Sequence, residues 1–287
     1  DWANMPSRHT RIKGFYMTLS KRVSILEPQD LQQMLESNTV CLIQVTSNAV
    51  FSQAHIQGAI GVEPQELVCG IPPATGRLPD RDHLQMLFAR IGYRPDLNYV
   101  LYDDEGGGWA GRFAWTLDVI GHDGWQYLNG GLHAWHAAGL PLVGGTAAAP
   151  ALTQPNIRID SAPIAEIPDV LAAIEDPEQQ IWDARSAQEY NGLRQSSARA
   201  GHIPGAVNLD WLDIQDPSRQ LRLIENPATL MAERGIDPSK AVITHCQTHH
   251  RSALTYMLGR LLGMDIRAYH GSWSEWGNRQ DTPVECP

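Results

Sequence analysis

The chain has 287 residues, 43% hydrophobic and 19% charged, with a formal net charge of −10. That length holds one large core or two of ordinary size, and the composition is that of a soluble globular protein. The acidic balance and the absence of a basic run argue against nucleic acid or an anionic membrane as partner, and no apolar stretch is long enough to span a bilayer.

Residues 1–22 lack the apolar run of a secretory signal and read as a disordered N-terminal extension, with Met17 as an alternative start. Helix-like and strand-like segments then alternate. The pattern predicts a helix over 28–37 and a strand over 40–45. Asp80 caps a helix running to about Ile91, with Leu84, Leu87, Phe88 and Ile91 on one face. A strand at 99–102, a helix at 109–119 and a strand at 126–128 follow. The Gly/Ala/Pro-rich stretch that leads into 144–160 makes a linker. Beyond it come a helix at 166–174, a strand at 181–183, a helix at 226–234 and a strand at 241–244. The loop of Cys246 then opens a helix to about Leu262, followed by a strand at 266–269. The fold class is α/β: two domains, 23–143 and 161–287, each a parallel sheet with helices on both faces. Ligand sites in such sheets lie beyond the carboxyl ends of the strands, where Cys246 falls.

The chain repeats itself. Ala54-His55-Ile56-Gln57-Gly58-Ala59-Ile60 recurs as Gly201-His202-Ile203-Pro204-Gly205-Ala206-Val207. Gly130-Gly131-Leu132-His133-Ala134-Trp135 answers Gly271-Ser272-Trp273-Ser274-Glu275-Trp276. Two echoes in one order, half a chain apart, indicate a duplication rather than a solenoid. Since His55 mirrors His202 in the half without a cysteine loop, both are expected to hold turns rather than to catalyse.

The cysteines are Cys41, Cys69, Cys246 and Cys286, with no close spacing, so a reducing compartment and a cytoplasmic location are expected. Cys41 reads as a buried small hydrophobe, Cys69 as a loop residue and Cys286 as terminal. Cys246 follows the strand and precedes a helix start near Ser252, where converging N–H groups favour a thiolate; it is the candidate nucleophile. The plainer alternative is a structural thiol ending a buried strand. Arg251 would brace the loop or neutralise its charge.

His245, Cys246, His249 and His250 have a zinc-like spacing, but no second ligand pair exists, and no metal is expected. His249 and His250 are expected to line the pocket mouth instead, adding donors and pH-dependent positive charge. Arg185, closing a strand, would project toward the same cleft, the alternative being a surface salt bridge with Asp183 or Glu189. Gly106-Gly107-Gly108-Trp109-Ala110-Gly111 matches a dinucleotide fingerprint between strand and helix, yet Leu128 is followed by Asn129 rather than an acidic residue. The repeat sets this segment against the cysteine loop, with Asp104 opposite Cys246, and a loop that has lost its thiol fits better than a cofactor site. No cofactor is expected. Trp211, Trp273 and Trp276 read as core or domain-contact residues.

Together, Asp183-Ala184-Arg185, the 201–206 turn, the Cys246-to-Arg251 loop and the 271–276 segment resemble the ordered motifs of the rhodanese family. From about Val23 onward the chain is similar to that family's tandem-domain sulfurtransferases. The resemblance implies a silent N-terminal copy packed on an active C-terminal one. It implies that Cys246 takes the outer sulfur of thiosulfate as a persulfide, which cyanide or another thiophile removes. Arg185 would bind the donor's charged end, with Arg251, Gln247, Thr248, His249 and His250 around the substrate. Many thiosulfate-using relatives carry Arg or Lys in this loop, and relatives acting on 3-mercaptopyruvate carry small Gly/Ser residues; here neither holds. A 3-mercaptopyruvate donor, or a persulfide carrier delivering sulfur to a protein partner, are therefore the alternatives. Related phosphatases use a loop one residue longer, so the four residues between Cys246 and Arg251 favour a single sulfur atom at the centre.

Overall fold

Apolar runs without helical period pair into two parallel sheets. The computed structural model describes residues 23–36, 40–122 and 124–286; the expected extension over 1–22 lies outside the described residues. The first domain contains β1 (Ser24–Leu26), β2 (Val40–Val45), β3 (Ile60–Val62), β4 (Asn98–Tyr102) and β5 (Gln126–Leu128), in the order β1-β5-β4-β2-β3. Its helices are α1 (Pro28–Leu35), α2 (Asn48–Gln53), α3 (Arg81–Arg90), α4 (Gly108–Val119) and α5 (Gly131–Ala137). Leu42, Ile43, Tyr99, Val100, Leu101 and Tyr102 are all buried, which is why β2 and β4 read as continuous apolar runs: helices cover both faces. Asp80 caps α3 as expected, accepting from His83 N–H at 2.8 Å.

The second domain contains β6 (Ile164–Ala165), β7 (Gln179–Asp183), β8 (Val207–Asn208), a small antiparallel pair β9 (Gln215–Asp216) and β10 (Arg222–Leu223), then β11 (Ala241–His245) and β12 (Ile266–Tyr269). Its helices are α6 (Ile167–Glu175), α7 (Ala187–Tyr190), α8 (Pro227–Glu233), α9 (Arg251–Leu261) and α10 (Ser272–Trp276). The main sheet runs β6-β12-β11-β7-β8, the same order as the first, as a duplication requires. The first helix stops at Leu35 rather than reaching 37, and residue 37 lies outside the described residues. Strands β1, β3 and β6 and helix α2 escape a sequence reading because elements this short show no period. The segment 144–160 carries no helix or strand and runs along α3, where Arg81 Nε donates to Ile157 O at 2.8 Å.

The domains meet through α4 and α9, whose Phe113, Trp115, Leu254, Tyr256 and Met257 belong to one continuous core. The helices approach so closely that a Cβ at Gly111 would lie 2.5 Å from Ala253 O. This contact accounts for Gly107 and Gly111, while a Cβ at Gly106 would meet Gln215 at 2.5 Å. A Cβ at Gly107 would crowd Leu254 and one at Gly108 would meet His250. Polar groups lock the seam: Asp118 accepts from Arg260 at 2.6 Å and Tyr256 Oη at 2.8 Å, while Arg77 reaches Glu166 at 2.6 Å and Glu275 at 2.9 Å. His55 and His202 do hold turns. Each ring donates its Nδ1–H to a local carbonyl, Phe51 O at 2.8 Å and Tyr190 O at 2.9 Å, and stacks on that residue's ring.

Candidate active site

Strand β11 delivers Cys246 to its carboxyl end, and α9 begins at Arg251. Between them the loop curls back because His249 adopts φ 55°, a left-handed conformation uncommon outside glycine. The curl turns N–H groups inward. The Cys246 sulfur takes hydrogen bonds from Ser252 Oγ and from the N–H groups of Ser252 and Thr248. Burial alone would raise the thiol's pKa, for the residue is 1% exposed; the Arg251 charge and these bonds reverse the effect and lower it. Cys41, without such partners, is pushed up by burial to about 12.

Neighbouring elements fix the loop from outside. Ser272, at φ 53° where the first domain has Gly131, accepts from Cys246 N–H at 3.3 Å. Trp273 and Ser274 donate their backbone N–H groups to Cys246 O and Gln247 O, each at 2.9 Å. Glu189 takes both arms of Arg251, at 2.6 and 2.9 Å. Arg251 therefore braces the loop rather than pointing into its centre.

The residues expected around the substrate divide. Gln247 donates to Ser196 O and Ser197 Oγ, each at 3.2 Å, and Thr248 is half-buried beneath the first domain, where a Cβ at Gly76 would strike its carbonyl. Arg185 is 1% exposed, forked onto Asp183 at 2.6 to 3.1 Å, bound to Gly201 O at 2.9 Å, and stacked 4.4 Å over Trp273. The alternative of a salt bridge with Asp183 holds, but buried rather than on the surface.

His249 does not line a mouth, which corrects the expectation. Its side chain is fully buried, edge-on to Trp115 at 4.7 Å, because the left-handed turn points the ring at the domain seam. Burial, with Arg112 and neighbouring imidazoles, holds its pKa well below the ordinary value, so it supplies no positive charge. Its Nδ1 lies 2.8 Å from Ser252 Oγ and its Nε2 has no hydrogen-bond partner among the described residues. The Nδ1–H tautomer avoids leaving a buried N–H unpaired at Nε2: His249 Nδ1–H donates to Ser252, whose hydroxyl donates to the Cys246 sulfur. His250 is half-buried, pairs with Glu105 of the first domain, and packs on Trp109 at 4.5 Å and Trp211 at 5.3 Å. Among the described residues no group of His, Cys, Asp and Glu side chains converges as metal ligands; His245 turns to Cys246 O, His249 to Ser252 and His250 to Glu105.

In the first domain Asp103, not Asp104, stands opposite Cys246, since each directly follows the last residue of its strand. Asp103 Oδ1 accepts from the N–H groups of Glu105, Gly106 and Gly107, and Oδ2 from Ala110 at 2.9 Å. Burial and Glu105 push its pKa up to about 6 against these bonds, leaving it ionised at neutral pH. A carboxylate fills the cradle in which the second domain holds a sulfur. Sequence reasoning named Asp183 and Glu189 only as surface partners for Arg185 and Ser252 only as a helix start, and it gave Ser272 no place in the site although its echo with Gly131 was a signal.

Comparison with known proteins bears on this geometry. The rhodanese-like domain family matches residues 27–138 and again 166–279. The chain is 48% identical over 262 residues to a thiosulfate sulfurtransferase of Azotobacter vinelandii, covering 91% of this chain and 96% of that protein. It is 45% identical over 262 residues to a thiosulfate sulfurtransferase of Pseudomonas aeruginosa, with the same shares, 91% and 96%. An anaerobic ergothioneine biosynthesis enzyme from Chlorobium limicola superposes with a TM-score of 0.80 over 91% of this chain and 70% of that one; at 19% identity this likeness concerns the fold alone.

Proposed function

The chain belongs to the rhodanese-like family, and we propose that it is a thiosulfate sulfurtransferase whose sulfur travels on Cys246 as a persulfide. The donor follows from the two bacterial relatives. The route through Cys246 rests on one observation: its sulfur alone among the cysteines sits in a cradle of inward donors that lowers its pKa despite full burial. The thiolate attacks the outer sulfur of thiosulfate; an S–S bond forms to Cys246, the S–S bond of thiosulfate breaks, and sulfite leaves with its electron pair. The negative charge then resides on the terminal sulfur of the persulfide, where the loop donors and Arg251 stabilise it. Cyanide attacks that terminal sulfur, thiocyanate leaves and the thiolate returns. Residues 161–287 form the catalytic copy and 23–143 the copy whose cradle Asp103 fills. Arg185 holds the wall of the site through Asp183 and Trp273, and Gln247, Thr248 and His250 border the donor.

Four unpaired cysteines fit a reducing cytoplasm. Among the described residues no helix is long and apolar enough to cross a membrane. The protein incubated with thiosulfate and cyanide is expected to release thiocyanate, and thiosulfate alone to add the mass of one sulfur to the peptide containing Cys246. Cys246→Ser is expected to do neither; thiocyanate release by that variant at the wild-type rate would overturn the reading.

A further inference from the structure

Arg112 belongs to α4 of the domain without the cysteine, yet its guanidinium ends at the catalytic loop. The residue is fully buried, donates from Nη1 to His249 O at 3.3 Å and from Nη2 to Leu67 O at 2.8 Å, and lies 4.6 Å over the Trp115 ring. Its Nε has no hydrogen-bond partner among the described residues. Carbonyls and a ring face carry no full negative charge, so a cation here lacks the anion that burial normally demands.

The other charges around Cys246 are matched. Arg251 is forked onto Glu189 and Arg185 onto Asp183. His250 pairs with Glu105, and His270 lies 3.2 Å from Glu166. Burial keeps His245, His249 and His270 below their ordinary pKa, so these imidazoles add no charge. Burial pushes the Arg112 pKa down to about 9, and the groups whose negative forms oppose that shift are two thiols, Cys246 and Cys69. Cys69 has a single inward donor, Ile71 N–H at 3.4 Å, and its sulfur otherwise rests against the carbonyls of Ala74 and Thr75.

We propose that Arg112 is a positioning residue for the sulfur site, adding from the first domain, behind the His249 carbonyl, an unmatched positive charge to the Arg251 charge and loop donors that keep Cys246 and its persulfide anionic. The first domain is then part of the active site rather than a cover for it. This inference rests on the reading of Cys246 as the sulfur carrier.

The test is a pH titration of the thiolate's ultraviolet absorbance, taken as the difference from the Cys246→Ser protein, in the wild type, Arg112→Met and Arg112→Lys. Arg112→Met is expected to raise the midpoint by about one pH unit, roughly a tenfold loss of thiolate below it, and Arg112→Lys to stay within about 0.3 unit of wild type. A midpoint unmoved in Arg112→Met, or moved equally by Lys and Met, overturns the proposal. If Arg112→Met does not fold, Arg112→Gln, which keeps N–H donors without the charge, is titrated in its place: a midpoint raised by about one unit upholds the proposal and an unmoved one overturns it. The titration needs only a thiol at position 246, so failure of the persulfide reading shows separately, as absent thiocyanate.

Discussion

Asp103 and Cys246 occupy the same point in two copies of one loop, each the first residue after its strand, each receiving inward N–H groups. One copy closes the cradle with its own carboxylate; the other leaves it to a sulfur. The duplication thus contains a built-in control for what the cradle does: it stabilises an anion, whichever one the residue supplies.

Replacing Asp103 by Asn tests that statement in the first domain. The amide can still accept at one oxygen, but its NH2 must face an N–H donor, of Ala110 or of Gly107. One unsatisfied buried donor costs about 1–3 kcal/mol. Urea unfolding is expected to register that loss, while sulfur transfer at Cys246 persists. Unchanged stability would mean that the carboxylate is not what holds the loop.

Glu189 supplies a pH signature. Burial works to raise its pKa, yet the Arg251 fork and Ser186 hold it at about 2, against an ordinary 4.5. A carboxylate whose folded pKa is depressed stabilises the fold above its unfolded value and loses that contribution as pH falls through the folded one. The side chain is 5% exposed, so screening is small and the contribution is about 3 kcal/mol above pH 4.5. The stability gap between wild type and Glu189→Gln is expected to close as pH falls from about 4.5 toward about 2. A gap that stays constant over that range would remove the ion pair from the loop's support.

How much of this was legible in the sequence differs by residue. Cys246, its strand and its helix were legible because an apolar run, a polar loop and a helical period meet there. The register of the silent loop slipped by one residue, to Asp104, because two aspartates stand side by side and only geometry shows which carboxylate turns inward. The burial of His249 was hidden by a positive φ that no local pattern announces. Arg112 gave no signal at all, since its role exists only once two distant helices pack. The glycines of 106–111 pointed to a nucleotide by spacing, whereas at Gly107 and Gly111 close helix contact sets the need.

Ser252 links the buried imidazole to the sulfur. With alanine there, the Cys246 anion loses one hydroxyl donor and His249 Nδ1 loses its partner. A hydrogen bond to a charged group is worth about 1.5–3 kcal/mol, so kcat/KM for thiosulfate at neutral pH is expected to fall about ten- to a hundredfold. The pH midpoint of the reaction should rise at the same time, and Ser252→Thr, which keeps the hydroxyl, should restore most of the rate. A rate loss without a midpoint shift would assign Ser252 to packing instead of to the thiolate.

The packing of α4 against α9 offers the last prediction. A methyl at Gly111 would sit 2.5 Å from Ala253 O, a backbone atom that no side-chain rotation can move aside. Ala253 lies in the first turn of α9, next to the Ser252 N–H that holds the sulfur, so any displacement that relieves the clash also shifts the cradle. Overpacking of this kind costs about 1–3 kcal/mol, which should lower the thermal midpoint of Gly111→Ala by several degrees. Turnover should fall as well, although the substituted residue lies in the domain without the cysteine. A nucleotide role for the 106–111 glycines expects neither effect on sulfur transfer. If Gly111→Ala keeps both its unfolding midpoint and its turnover, the seam between α4 and α9 does not position Cys246.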